Sequence, residues 1–174
     1  MEEVKKKNQD SQTNLIWSIT NDEGFVDESK EHSERIASKD ISNYKLVFAN
    51  NFAYNPARIN VGSLALNESK KIGCVSPSYI VFRIKELLVY PKYLYCLLNS
   101  SMVKEQIKNF AYGGVRESLN FENLGKISVP INFSLEKQQK IIKEWEESKE
   151  EINRQKQSIK YFQEKQQSFL NNLW

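Results

Sequence analysis

Short apolar runs separated by turn signals occupy the first three-quarters of the chain, and a single unbroken polar–apolar pattern occupies the rest. Asn14–Thr20 (NLIWSIT) is β-branched and aromatic and runs into Asn-Asp-Glu-Gly, so it predicts a strand closed by a turn. Tyr44–Ala49 alternates and predicts a second strand, with a turn at Asn50-Asn51. Phe52–Tyr54 and Ser63–Leu66 are short strand candidates, and Tyr79–Ile84 (YIVFRI) is the strongest one. Residues 26–43 are polar and read as either helix or loop.

Pro91 sits where a helix would begin, behind a Tyr90 biased to extended geometry. Tyr93, Leu94, Leu97 and Leu98 form an apolar helical stripe; after Asn99-Ser100-Ser101, Met102, Ile107 and Phe110 continue as a second helix that stops before Gly113-Gly114. Ile127–Ile131 (ISVPI) predicts a last short strand, which Pro130 confines to an edge or an end. The polar start, Met1–Thr13, is expected to be disordered.

From Ser134, a plausible N-cap, to Trp174 there is no Gly and no Pro. With Trp145, Ile152, Ile159, Gln166 and Leu173 as heptad position a, position d falls on Ile141, Ser148, Gln155, Phe162 and Phe169. The seam is apolar except at Ser148, Gln155 and Gln166, which predicts one long helix with an imperfect coiled-coil face. A helix of about 60 Å cannot bury such a seam against a small domain, so it calls for a second helix. Folding back on its own domain is the competing expectation. The fold class expected is α+β: a disordered segment at 1–13, a globular domain over 14–133 with a small mixed or antiparallel sheet and helices, and a spacer helix over 134–174.

Charge sharpens this division. Residues 1–40 carry a net −4, residues 41–133 a net +6 and residues 134–174 a net +1, within a total of +3. A basic domain suits a polyanionic partner, although a modest charge excess is equally common in domains without one. No apolar run reaches the roughly 18 residues of a membrane span, and the start lacks the apolar stretch of a secretory signal. Two cysteines, Cys74 and Cys96, are too few for a disulfide framework or structural zinc. One histidine, His32, leaves little room for histidine-based catalysis. A cytoplasmic protein with no metal and no cofactor is the expectation.

The candidate chemistry lies in two loops. Asn55-Pro56-Ala57-Arg58 follows a short strand and resembles the Asn-Pro-Pro-aromatic loop with which adenine methyltransferases grip a flipped base. It departs from that motif at Ala57 and Arg58, and no Gly-rich methyl-donor loop precedes it. Read physically, Tyr54–Asn60 presents amide and guanidinium groups with the two-donor geometry that base edges need, or else it is an ordinary turn. Ala111–Ser118 is the second loop, where Gly113 and Gly114 permit close backbone approach, or else cap a helix. The carboxylates Glu86, Glu117 and Glu122 form no acid–base pair in sequence, Cys74 and Cys96 read as core, and His32 as surface.

In combination these segments resemble one target recognition domain of a type I restriction–modification specificity subunit. The resemblance rests on Phe52-Ala53-Tyr54-Asn55-Pro56-Ala57-Arg58-Ile59-Asn60-Val61-Gly62-Ser63, on Gly73–Arg83, on Tyr93-Leu94-Tyr95, on Gly113-Gly114-Val115-Arg116-Glu117-Ser118-Leu119, on Ile127–Pro130, and on the Gln-rich entry Glu136–Ile142 to the long helix. It covers about residues 14–174. The usual opening Trp and Lys-Leu signature is absent, as is a second proline after Pro130, and one half is present where a full subunit has two.

The resemblance implies a non-catalytic subunit that reads one half of a split site on double-stranded DNA. It would dock modification and restriction subunits, and pair through its helix with a second copy or a second half. Carried over residue by residue, DNA contacts are expected at Tyr54, Asn55, Arg58 and Asn60, at Tyr112, Gly113, Gly114, Arg116 and Ser118, and, to phosphates, at Lys70, Lys71, Lys104 and Lys108. Tyr79 and Arg83 would position the recognition strand. Ile141, Trp145, Ile152, Ile159, Phe162, Phe169 and Leu173 would form the coil. The alternative is an interaction-only remnant or regulator that assembles through the helix without reading DNA.

Overall fold

Alternation along two three- to four-residue segments builds the centre of the fold. A computed structural model describes residues 1–28, 40–85, 88–111 and 118–171. Strand β5 (Phe52–Tyr54) lies between β6 (Leu64–Leu66) and β8 (Ile80–Arg83), and β1 (Glu2–Glu3) closes an antiparallel sheet in the order β1-β8-β5-β6. Phe52, Tyr54, Phe82 and Leu64 point to one face of this sheet; Ala53, Ala65 and Val81 point to the other. Both faces are covered, so β5 is buried throughout and shows no polar alternation.

The first face packs on helices α1 (Pro91–Leu98), α2 (Ser101–Ala111) and α3 (Phe121–Leu124). Phe52 and Phe82 stack at 4.7 Å, and Tyr54 meets the Phe82 ring edge-on at 6.1 Å. Pro91 opens α1 behind an extended Tyr90, as its position predicts. On α2 the buried stripe is Val103, Ile107 and Ala111 rather than Met102, Ile107 and Phe110; Met102 is exposed. Val103, Ile107 and Ala111 follow one another at four-residue spacing and form a single row on the helix, which leaves Met102 outside it.

The second face is covered by two ribbons, β2 (Trp17–Thr20) with β3 (Gly24–Asp27) and β4 (Lys45–Val47) with β7 (Gly73–Val75). Trp17 is the keystone: its ring lies flat on Gly73, where a Cβ would fall 2.4 Å from the ring carbon Cε3. The Phe25 ring packs against Trp17 with centroids 4.8 Å apart, tilted by 34°.

Two sequence expectations are corrected here. Residues 1–13 are not a disordered tail. Glu2 and Glu3 pair with Arg83 and Phe82, the Leu46 N–H donates to the Lys6 carbonyl at 2.8 Å, and Lys7 bridges Lys45. The buried Asn8 side chain then grips both the N–H and the carbonyl of Thr13 (3.2 and 2.9 Å). A sheet edge offers unpaired N–H and C=O groups that accept any extended segment, so polarity is no guide to order there. The acidic and basic stretches therefore belong to one body, Met1–Phe133, and the charge step in the sequence is not a step between units.

Ile127–Ile131 is not a strand. The Gln106 side-chain amide accepts from the Ser128 N–H and donates to the Ser128 carbonyl, both at 3.0 Å, and thereby supplies what a strand partner would. Of residues 26–43, Val26 and Asp27 complete β3, while 29–39 lie outside the described residues. Strand β7, at Gly73–Val75, is one the sequence pattern leaves unnamed.

The second unit, Ser134–Trp174, contains α4 (Leu135–Asn171), 37 residues or about 55 Å of helix. Ser134 caps it, its hydroxyl accepting from the Lys137 N–H at 3.3 Å. From Glu147 to Asn171 every residue is exposed, including the seam side chains Ile152, Ile159, Phe162 and Phe169. Ile141 and Trp145 are half-buried, and Leu173 lies outside the described residues.

Candidate nucleic-acid interface

The connection from β5 to β6 is a rigid loop made so by its own sequence. The Asn55 side chain accepts from the Ala57 N–H at 3.0 Å, and the Asn55 N–H donates to the Ser63 carbonyl at 3.1 Å. Pro56 removes one backbone freedom. The Arg58 carbonyl then accepts from both Val61 and Ser63, a 3₁₀ turn runs Ile59–Val61, and Gly62 closes it at φ 101°, which favours glycine. Ile59 is the buried peg; Ala57 and Arg58 stand in solvent, with Asn55 and Asn60 half-buried beside them. The Arg58 guanidinium has no ion pair among the described residues.

The second loop is tied to the first. The Leu119 N–H donates to the Pro56 carbonyl at 3.0 Å, and the Tyr54 hydroxyl donates to the Leu119 carbonyl at 3.1 Å. The Ser118 N–H reaches back to the Ala111 carbonyl at 3.3 Å, so the two ends of the Gly-Gly loop meet at its base. Helix α2 packs on the 3₁₀ turn through the core shared by Ile107, Ala111 and Ile59. Exposed Ser118 immediately precedes the residue bonded to Pro56. Tyr112, Gly113, Gly114, Arg116 and Glu117 lie outside the described residues, as do His32 and Glu86.

Tyr54 requires a correction. It is fully buried, and burial holds its hydroxyl far above the usual tyrosine range, with the Glu3 charge adding to the effect. It presents no surface to a ligand; its hydroxyl positions the segment that follows the second loop. Tyr54→Phe is expected to cost about 1 kcal/mol, the ordinary worth of one such hydrogen bond. It should also weaken any ligand held by both loops, which urea unfolding and a binding titration check separately.

The lysines divide. Lys104 is half-buried on α2, and Lys108, in its last turn, is exposed and paired with Glu105 at 3.4 Å. Lys70 and Lys71 sit on the connection from β6 to β7, at the opposite end of the β5–β6 hairpin from Arg58, and the paired strands between them span about 10 Å. Buried Asn67 organises that connection, donating to the Val47 and Lys71 carbonyls and accepting from Ser69. Arg83 is likewise at the far end, paired with Glu2 at 2.9 Å.

Tyr79 does lie beside the Asn55–Gly62 loop, since Tyr54 pairs with Ile80. Burial pushes its hydroxyl up, while the backbone of Ile19 and the charge of Arg58 pull it down. The turn Ser76-Pro77-Ser78 beside it had no separate signal in the sequence beyond its place between two apolar runs.

Cys74 is buried, and desolvation pushes its thiol up to about 11, far from a nucleophile's range. Glu122 pairs with Lys126 at 2.9 Å. Among the described residues no His, Cys, Asp and Glu side chains converge as a metal-ion cluster, and no helix is long and apolar enough to cross a membrane.

Compared with known families, residues 4–161 match the model of the type I restriction modification DNA specificity domain. The chain belongs to this family. A search of curated proteins returned no match. The match begins at Val4, inside the N-terminal segment that the sheet absorbs, and runs through the first unit into α4 as far as Tyr161. Family membership makes DNA sequence recognition the context for this domain.

Proposed function

We propose that this specificity domain is a non-catalytic reader of one half of a split site on double-stranded DNA. Asn55, Arg58 and Asn60 would meet base edges, and the loop ending at Ser118 would complete the contact. One observation carries the reading: Leu119 is bonded to both Pro56 and Tyr54, which joins the two polar loops at one end of the sheet. Asn and Arg are the side chains whose paired donors and acceptors match adenine and guanine. Lys104 and Lys108 would add phosphate contacts, which fix register without reading sequence. Lys70 and Lys71, at the other end of the hairpin, would reach phosphates only on a duplex that extends past the loops. The test is a titration of the chain with duplex DNA at several salt concentrations, in which affinity should fall linearly on a log–log plot.

Helix α4 would dock the modification subunits and mate with a second copy of this chain or with a second half. The exposed seam from Ile152 to Phe169 supports this. Light scattering should give twice the chain mass of 20.4 kDa, and Phe162→Glu with Ile159→Glu should return it to the monomer mass. The same exposed seam supports the second reading, assembly without DNA reading. In that case Arg58→Ala would leave every interaction of the chain unchanged.

A further inference from the structure

The end of the sheet that carries Arg58 extends past its two loops. Tyr54 pairs with Ile80, so the turn from Ser76 to Tyr79 lies beside Asn55. Lys45 holds this turn, its ammonium donating to the Tyr79 carbonyl at 2.6 Å. Pro77 and Ser78 are exposed, and the Ser76 and Ser78 hydroxyls share a hydrogen bond of 2.7 Å. Two hydroxyls that share one bond still leave one proton free to donate outward.

Strand β1 runs toward the same end. The Val4 N–H donates to the Val81 carbonyl, which brings Lys5 to the level of Ile80, and Lys7 bridges Lys45. The Lys7 ammonium donates to the neutral Asn43 amide at 3.1 Å. Lys5 pairs with Glu3 at 3.2 Å but is 76% exposed, so a phosphate can take the carboxylate's place at little cost. Burial holds the Lys45 ammonium below the usual lysine range, with the Glu3 charge opposing the effect and the Lys5 charge adding to it.

We propose that this edge, the Ser76–Ser78 turn with Lys5 and Lys7, is a clamp for DNA phosphates beside the recognition loop. It rests on the DNA-reading function proposed above and deepens it: the clamp fixes where the duplex lies and so which base edges meet Asn55 and Arg58. Hydroxyl donors and ammonium groups are the usual phosphate partners, and neither carries sequence information. The clamp also gives the ordered N-terminal segment a task that its sequence does not announce.

The experiment is fluorescence anisotropy of the full chain with a mixed-sequence duplex between roughly 50 and 200 mM salt. Lys5→Gln with Lys7→Gln should lower the salt slope by about two, one for each phosphate that is no longer neutralised. Ser78→Ala should weaken binding a few-fold at unchanged slope. Ser78→Glu, which sets a carboxylate against a phosphate, should weaken it more than tenfold. Ser78 is exposed, and circular dichroism of the variants should match the wild type. If Ser78→Glu and the double lysine variant bind like the wild type while Arg58→Ala loses affinity for the selected DNA site, the clamp is wrong and DNA reading stands. If the wild-type chain binds no duplex at any salt, both fall.

Discussion

Arg58→Ala should reduce affinity for the selected DNA site by about tenfold or more, with relaxed preference at one base pair and little loss on unrelated DNA. A bidentate contact to a base edge is worth about 1–3 kcal/mol of discrimination. Arg58 has the features for one: it is exposed, it has no ion pair among the described residues, and its backbone is locked by the Asn55 carbonyl on one side and the Val61 and Ser63 N–H groups on the other. That locked loop lowers the entropy cost of ordering the side chain on DNA. A phosphate contact would behave differently, weakening all sequences alike and lowering the salt slope by about one. Competition titrations with selected and scrambled duplexes separate the two. Arg58→Lys should not rescue, because an ammonium cannot make the two-pronged contact.

Gly73→Ala should destabilise the fold by about 3 kcal/mol, at the upper end of the cost of overpacking a core. The added methyl would fall 2.4–2.6 Å from three ring carbons of Trp17, and that ring is also packed against Phe25 at 4.8 Å. Gly73 is not in the left-handed region, so a glycine-to-alanine change in its strand would ordinarily be neutral or stabilising by up to about 1 kcal/mol. A large loss therefore reports the ring contact itself. Urea unfolding measures it, and Trp17→Leu in the same background should restore part of the loss, since contacting residues are not additive.

The sequence was most legible where local chemistry dictates local structure. Asn55-Pro56 and Gly62 announce a turn by their own hydrogen bonds and backbone preferences, and the structure forms it with those bonds. Pro91 announces a helix start and Ser134 a cap for the same reason. Long-range partners were not legible. Nothing in Leu119 says that it will bond Pro56 and Tyr54, so Tyr54 reads as a surface aromatic when it is a buried post. Nothing in Glu2-Glu3 says that β8 offers them an edge, and nothing in Gln106 says that its amide will replace a strand for Ser128. Nothing around Gly73 says that the Trp17 ring will lie on it. Within the site, the loop residues could be named from their chemistry, but the end of the sheet to which each belongs depends on register. Register separates Lys70 and Lys71 from Arg58 and brings Ser76–Ser78 to it.

The central claim is that the end of the sheet bearing Arg58 reads DNA sequence. The most direct test is selection from a random duplex pool, run in parallel on the wild-type chain and on Arg58→Ala. The account predicts that the wild type enriches a defined short motif and that the variant loses preference at one position of that motif. Recovery of unenriched sequence by the wild type, or the same motif recovered unchanged by the variant, would contradict it.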